Sequence, residues 1–273
     1  MRYEWPRPEE GPVLSTASPD RQPPSPSSSS AAGAPAGEAA PGFFANLIGL
    51  YVAPIETFRA IAAHPTFLAP LLAIVLVNSA FTFVWLRKGD PVEIARVQME
   101  EAGVFDRVPP EKHGEIVERQ ARLLPTFAWL GPTVFLPIML VAMAGLFLFV
   151  YRFFYASETT FRQSLAVMMW AHLTFYLLAT LLVVLVLTLK NEWSVDPRSV
   201  IQASPAALVE KSAVPKPVHS LLDSLDLTSF WLIFLLSAGY AAASRRSVGS
   251  AAAGVVGLWG IYVLLKVALA AVF

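Results

Sequence analysis

Hydrophobic positions fall into five long apolar blocks separated by polar segments, and the middle block sets the frame. A polar turn from Ser157 to Gln163 leads into about 25 almost unbroken apolar residues that end at Leu189. At 1.5 Å per residue such a helix is roughly 37 Å long, enough to cross the roughly 30 Å of hydrocarbon in a bilayer. Two blocks precede it and two follow. The pattern predicts an all-α integral membrane protein with five transmembrane helices, at about residues 66–86, 127–150, 165–189, 227–243 and 250–273.

The segments outside these blocks carry their own signals. Residues 1–42 are rich in Pro, Ser, Ala and Gly and have no apolar period, so this tail is expected to be disordered, leaving residues 43–273 as one membrane domain. No apolar core of signal-peptide type precedes Phe43, so the first spanning helix is expected to serve as the insertion signal. From Phe43 to Ala63, apolar residues recur at helical spacing but are interrupted by Pro54 and by Asn46, Glu56, Thr57 and Arg59. This suits one or two amphipathic helices at the membrane interface, either anchored on its surface or packed on the bundle, with Pro54 in the first turn of the second.

The loop from Arg87 to Pro125 predicts two helices. The first is capped by Asp90, begun by Pro91 and Glu93 and closed by Gly103; the second follows Pro109 and Pro110, with Glu115–Arg119 and Glu118–Arg122 at i,i+4. Its eight carboxylates and His113 are interleaved with seven basic residues at no metal-ligand spacing, so it reads as a solvated, salt-bridged loop. Pro137 is expected to kink the second span. Gly249, Ala253, Gly257 and Gly260 form a small-residue stripe on the fifth span. With Ser237, Gly239, Ala241 and Ala242 they predict close packing of the last two spans across the turn Ser244–Gly249.

Three polar residues inside the spans are candidates for function. Asn78 suits a hydrogen bond to a neighbouring helix, or a place in a solute path. His172 is an ionisable residue about two turns inside the third span; it serves either packing or protonation and binding. Lys266 can reach the interface with its long side chain, or line an ion path. There is no catalytic dyad or H-E-x-x-H motif, and no catalytic, cofactor or metal site is read from the sequence.

Composition agrees: the chain is 55% hydrophobic and 15% charged, with 20 basic and 20 acidic residues. A net charge of zero gives no basic field for nucleic acid, and the absence of cysteine excludes disulfides and thiolate chemistry. Arg59, Arg152, Arg162, Arg245 and Arg246 gather on the side of the amino-terminal tail, nearly free of acids. The positive-inside rule therefore leans towards a cytoplasmic amino terminus.

Several short motifs in order among the spans resemble the Yip (Ypt-interacting protein) family in its bacterial form. They are Pro54, Glu56, Thr57 and Phe58; the turn from Glu158 to Gln163; and Asp223, Asp226, Leu227, Phe230 and Trp231 leading to Gly239 and Tyr240. The resemblance implies a five-helix multi-pass protein of the bacterial inner (plasma) membrane with its amino terminus in the cytoplasm. Eukaryotic relatives bind Rab-type GTPases and carry an Asp-Leu-Tyr-Gly-Pro stretch before the spans. Here that place holds Gly49, Leu50, Tyr51, Val52, Ala53 and Pro54, so no GTPase-binding site is carried over. The leading expectation is a non-enzymatic scaffold or adaptor whose partners are the lipid bilayer and other membrane proteins or further copies of itself. The alternative is a small-solute or proton-coupled transporter using Asn78, the Pro137 kink, His172 and Lys266.

Overall fold

The structure is a computed structural model that describes residues 41–197, 199–201, 203–209 and 213–272. The expected disordered tail lies outside the described residues apart from Pro41 and Gly42. The described chain is helical, without strands: α1 (Phe43–Val52), α2 (Pro54–Ala63), α3 (Leu68–Lys88), α4 (Pro91–Glu101), α5 (His113–Leu130), α6 (Leu136–Phe154), α7 (Phe161–Lys190), α8 (Lys216–Ser224), α9 (Leu227–Ser244) and α10 (Val248–Val272). Five helices are long and apolar enough to cross a membrane: α3, the continuous rod Pro110–Phe154 containing α5 and α6, α7, α9 and α10.

Local chemistry places most helix ends. Asp90 accepts the Val92 N–H at 2.9 Å with Pro91 behind it, and Gly103 leaves α4 at φ +64°, a conformation glycine adopts freely. Thr160 and Gln163 form a reciprocal capping box at the start of α7, and Asp226 caps α9 through the Thr228 N–H. Between α1 and α2 the chain turns at Ala53, with Pro54 opening α2 and Glu56 in its first turn.

The expected break between the charged loop and the second span is absent. Helix α5 runs through Pro125 into a π-helical turn, Gly131–Phe135, and on into α6. Two prolines, Pro132 and Pro137, lack the N–H groups that a regular helix needs here. The wider turn accommodates them: the Leu136 N–H donates five residues back to Gly131, and the Thr133 hydroxyl donates to the Trp129 carbonyl at 2.6 Å. In the loop itself Glu93 pairs with Arg96, and neither Glu115–Arg119 nor Glu118–Arg122 closes.

The core is built on the first half of α7, where every residue from Ser164 to Thr174 is buried. Around it pack Leu50, Phe58 and Ile61 of α1 and α2, Ile74 of α3, Leu140 and Phe147 of α6, and Leu235 and Tyr240 of α9. On α7 the interfacial pair α1–α2 packs against this half, and α2 packs on α9 as well. Gln163 bonds Ala62 and Tyr51 bonds Thr174, which marks out about 16 Å along α7. The outward side of α1, with Phe44 and Val52 74% and 79% exposed, is left for lipid. Beyond Thr174 the wall of α7 opens, and Leu181, Leu185 and Leu189 are exposed. A smaller core of Trp85, Ile94, Leu124, Leu187 and Trp193 closes the opposite end.

The small-residue stripe on α10 does not do what its spacing suggested. A Cβ on Gly249, Gly257 or Gly260 would meet nothing within 4 Å, and Ala253 is exposed. Helix α10 packs instead through Ala251, Gly254 and Val255. Gly254 faces the rings of Tyr151 and Tyr155 of α6, and Gly239 of α9 faces Val167 and Phe58. Spacing identified a small face; the face that packs is rotated from it, because the aromatic rings of α6 need the room.

Candidate functional site

Polar chemistry concentrates at the amino-terminal end of α7, where the turn Ser157–Gln163 ties the bundle together. Thr159 donates its hydroxyl to the Ala243 carbonyl at the end of α9 (3.1 Å), and Gln163 donates to the Ala62 carbonyl at the end of α2 (3.0 Å). Arg162 donates to the Pro65 carbonyl ahead of α3 (3.0 Å), Trp170 to Thr66 (2.9 Å), and Arg246 to Tyr155 (2.8 Å). Three of these carbonyls, Ala62, Ala243 and Tyr155, lie at helix ends and two in the link between α2 and α3, places where a backbone carbonyl in a membrane has few other donors. The spacing of Thr160 and Gln163 could have announced the capping box. The long-range partners had no local signal.

Below this clasp lies a buried aromatic column. Tyr151 stacks on Tyr240 at 4.6 Å, Tyr240 on Phe147 at 5.0 Å, and Tyr151 on Tyr155 at 5.1 Å. The hydroxyls of Tyr151 and Tyr240 are both engaged. Tyr240 donates to Ser164 Oγ (2.7 Å), Ser164 donates to the Ala144 carbonyl of α6 (2.6 Å), and Tyr151 donates to the Ala251 carbonyl of α10 (2.5 Å). Four spanning elements, α6, α7, α9 and α10, thus meet in one satisfied network. On the outside, Tyr51 donates to the Thr174 carbonyl at 2.6 Å. Burial pushes this phenol above its ordinary pKa, so it stays a donor at neutral pH. In the same stretch a Cβ on Gly49 would come within 2.4 Å of Thr57 Oγ1. The residues that stand where eukaryotic relatives carry their motif therefore hold α1 to α2 and α7.

The three sequence candidates occupy separate local environments. Asn78 donates to Ile74 on its own helix (2.9 Å), rather than to a neighbouring helix, because its side chain folds back one turn onto the i−4 carbonyl. His172 is buried, with Nδ1 2.9 Å from the Met168 carbonyl and its ring 6.0 Å from that of Tyr176. Lys266 binds Asp223 of α8 at 2.6 Å and Ser224 at 3.3 Å, a pairing across 43 residues that no sequence spacing signals. No hydrogen bond joins any two of the three. In the loop, His113 bonds the Val108 carbonyl (2.8 Å) and stacks on Phe105. Among the described residues no three His, Asp or Glu side chains converge as metal ligands would.

At the other end of the bundle the splayed helices enclose a cavity of about 1620 Å³. Its walls come from α3, α5 and α6, α7 and α9, and are mainly aromatic and aliphatic, including Phe81, Phe175 and Phe234; Asn78 lies on its inner wall. Gln98, Gln120, Asp196 and Thr228 supply polarity at the loop end.

A bundle of five apolar helices long enough to cross a membrane, tied at one end by side-chain bonds between helices and with an apolar cavity at the other, defines a multi-pass α-helical membrane protein. The Yip1 domain matches residues 48–270, and the chain belongs to that family, as the ordered motifs in the sequence suggested. Neither a curated protein nor a solved structure matches the chain.

Proposed function

We propose that the protein is a non-enzymatic scaffold or adaptor that organises other membrane proteins, or further copies of itself, within the bilayer. One observation carries this reading: Asn78, His172 and Lys266 end in three separate local contacts and do not converge on a common path. A transporter needs polar groups that alternate between partners along a route across the bundle. A scaffold needs a rigid bundle and free outer faces, and the clasp, the aromatic column and the exposed faces of α1, α6 and α10 supply them. The arginines beside the clasp support an amino terminus in the cytoplasm, and the resemblance of the motifs to the bacterial form of the family supports a place in the bacterial plasma membrane.

The test is flux in proteoliposomes. His172→Ala and Lys266→Ala are expected to leave proton and solute flux at the level of the unaltered protein. Loss of a flux in either variant, with assembly intact, would overturn the scaffold reading in favour of the transporter.

A further inference from the structure

We infer that the seam between α2, α9 and the turn into α10 is a binding site for the phosphate of an anionic glycerophospholipid. It is a cavity of about 340 Å³, within the roughly 300–1,000 Å³ that holds one small ligand or one head group. Three arginines line it: Arg59 from α2, Arg245 at the end of α9 and Arg246 in the turn. Sequence spacing brings them together. Ile55 and Arg59 lie one turn apart on α2, while Ala238, Ala241, Ala242 and Arg245 follow at i, i+3, i+4 and i+7 on α9. The two faces meet, and the small alanines leave room between them.

The cationic groups are open to a ligand. All three arginines are exposed, and among the described residues neither Arg59 nor Arg245 takes part in an ion pair. Arg246 uses one N–H on the Tyr155 carbonyl at 2.8 Å, a neutral acceptor, and a guanidinium carries five. Arginine grips phosphate through paired N–H···O bonds, and an anion between the three also relieves their mutual repulsion. Beside them the Ser247 Oγ accepts the Ser250 N–H at 3.3 Å, and its own O–H can donate to the same anion. Arg245 itself sits in the left-handed region, at φ +55° and ψ +40°, a place where helices commonly end on glycine. Arginine there carries a backbone cost that glycine would not, and what it adds is a cation at the cavity.

The walls suit an amphiphile better than a soluble anion. Along α9 the lining changes from Ala238 to Arg245 over roughly 10 Å, from the bundle interior to the helix end. Within the cavity Ile55, Ala242 and Val248 are half-buried apolar surface. A free phosphate would meet only the arginines, whereas a lipid phosphate brings its glycerol and first methylenes against these walls. The arginines lie on the side that the positive-inside rule assigns to the cytoplasm, where the leaflet carries anionic lipid. A choline head group would bring an ammonium to three cations, so phosphatidylglycerol fits and phosphatidylcholine does not.

The site goes beyond the scaffold reading, and its test involves no partner protein. The full chain, purified in a neutral detergent, is given equal amounts of phosphatidylglycerol and phosphatidylcholine with the same acyl chains and weighed by native mass spectrometry. One phosphatidylglycerol is expected to be retained in preference to phosphatidylcholine. Arg59→Gln and Arg245→Gly are each expected to weaken that retention about fivefold, the effect of one basic residue near a lipid surface. Arg245→Gly also relieves the left-handed backbone, so its melting temperature in the same detergent is expected to stay the same or rise, which separates lost binding from lost fold. Arg152→Gln removes a charge from the last turn of α6, outside the cavity, and is expected to leave retention unchanged. Excess inorganic phosphate, compared with sodium chloride at equal ionic strength, is expected not to displace the lipid. Equal retention of the two lipids, retention unchanged in folded Arg59→Gln and Arg245→Gly, or an equal loss in Arg152→Gln overturns the site. Displacement by inorganic phosphate overturns it too, because the ligand would then be a soluble anion.

Discussion

Gly239→Ala is expected to destabilise the bundle by about 2–3 kcal/mol, although it adds a single methyl group. The new Cβ would lie 2.4 Å from Val167 Cγ1 and 3.1 Å from the Phe58 ring, and both of those side chains are fully buried. Neither can move aside without displacing the first half of α7 or the α1–α2 pair. Gly257→Ala supplies the control, because its Cβ meets nothing within 4 Å. It is expected to leave stability unchanged or raise it by up to about 1 kcal/mol, because alanine is the better helix former. Thermal unfolding of both variants in detergent checks the contrast. Equal effects at the two positions would mean that the packed face of α9 is wrongly placed.

Ser164→Ala is expected to cost about 1–2 kcal/mol, chiefly because the buried Tyr240 hydroxyl loses its acceptor. The further step Tyr240→Phe should then cost little, since it removes the orphaned group and keeps the stack on Tyr151 and Phe147. The two changes are therefore expected to be less than additive, with a coupling of about 1 kcal/mol in a double-mutant cycle. Strict additivity would show that Ser164 and Tyr240 do not act as one unit.

These two sites separate what was legible in the sequence from what was not. The five spans could be read because hydropathy over some 20 residues reports directly on burial in lipid. The start of α4 could be read because Asp90, Pro91 and Glu93 act on their own helix. Side-chain partners could not: Ser164 meets Tyr240 across 76 residues, and Lys266 meets Asp223 across 43. Periodicity says that a helix has a small face, not which neighbour claims it: on α10 Gly257 and Gly260 looked like the packing stripe while Gly254 fills that role, and Gly239, read as part of the small face of α9, packs on Val167 and Phe58. The prolines of the second span announced an irregularity. That the backbone would widen into a π turn at Gly131–Phe135 and continue from α5 into α6 depends on the fit of the whole rod.

The candidate residues divide in the same way. Asn78, His172 and Lys266 were conspicuous because polar side chains are rare in spans, whereas their partners are backbone carbonyls and a carboxylate from a short helix outside the spans. The polar turn before α7 was visible as a turn, and its role as a clasp on α2, α3 and α9 emerged only from the packed bundle.

The central claim is that this bundle works by holding other proteins, or copies of itself, in the membrane. It is tested most directly by extracting the full chain from its own membrane in native nanodiscs and measuring the protein stoichiometry of each particle. The account predicts particles that carry a second protein chain, a partner or another copy, in a fixed ratio. Particles that hold one copy and no other protein would contradict it.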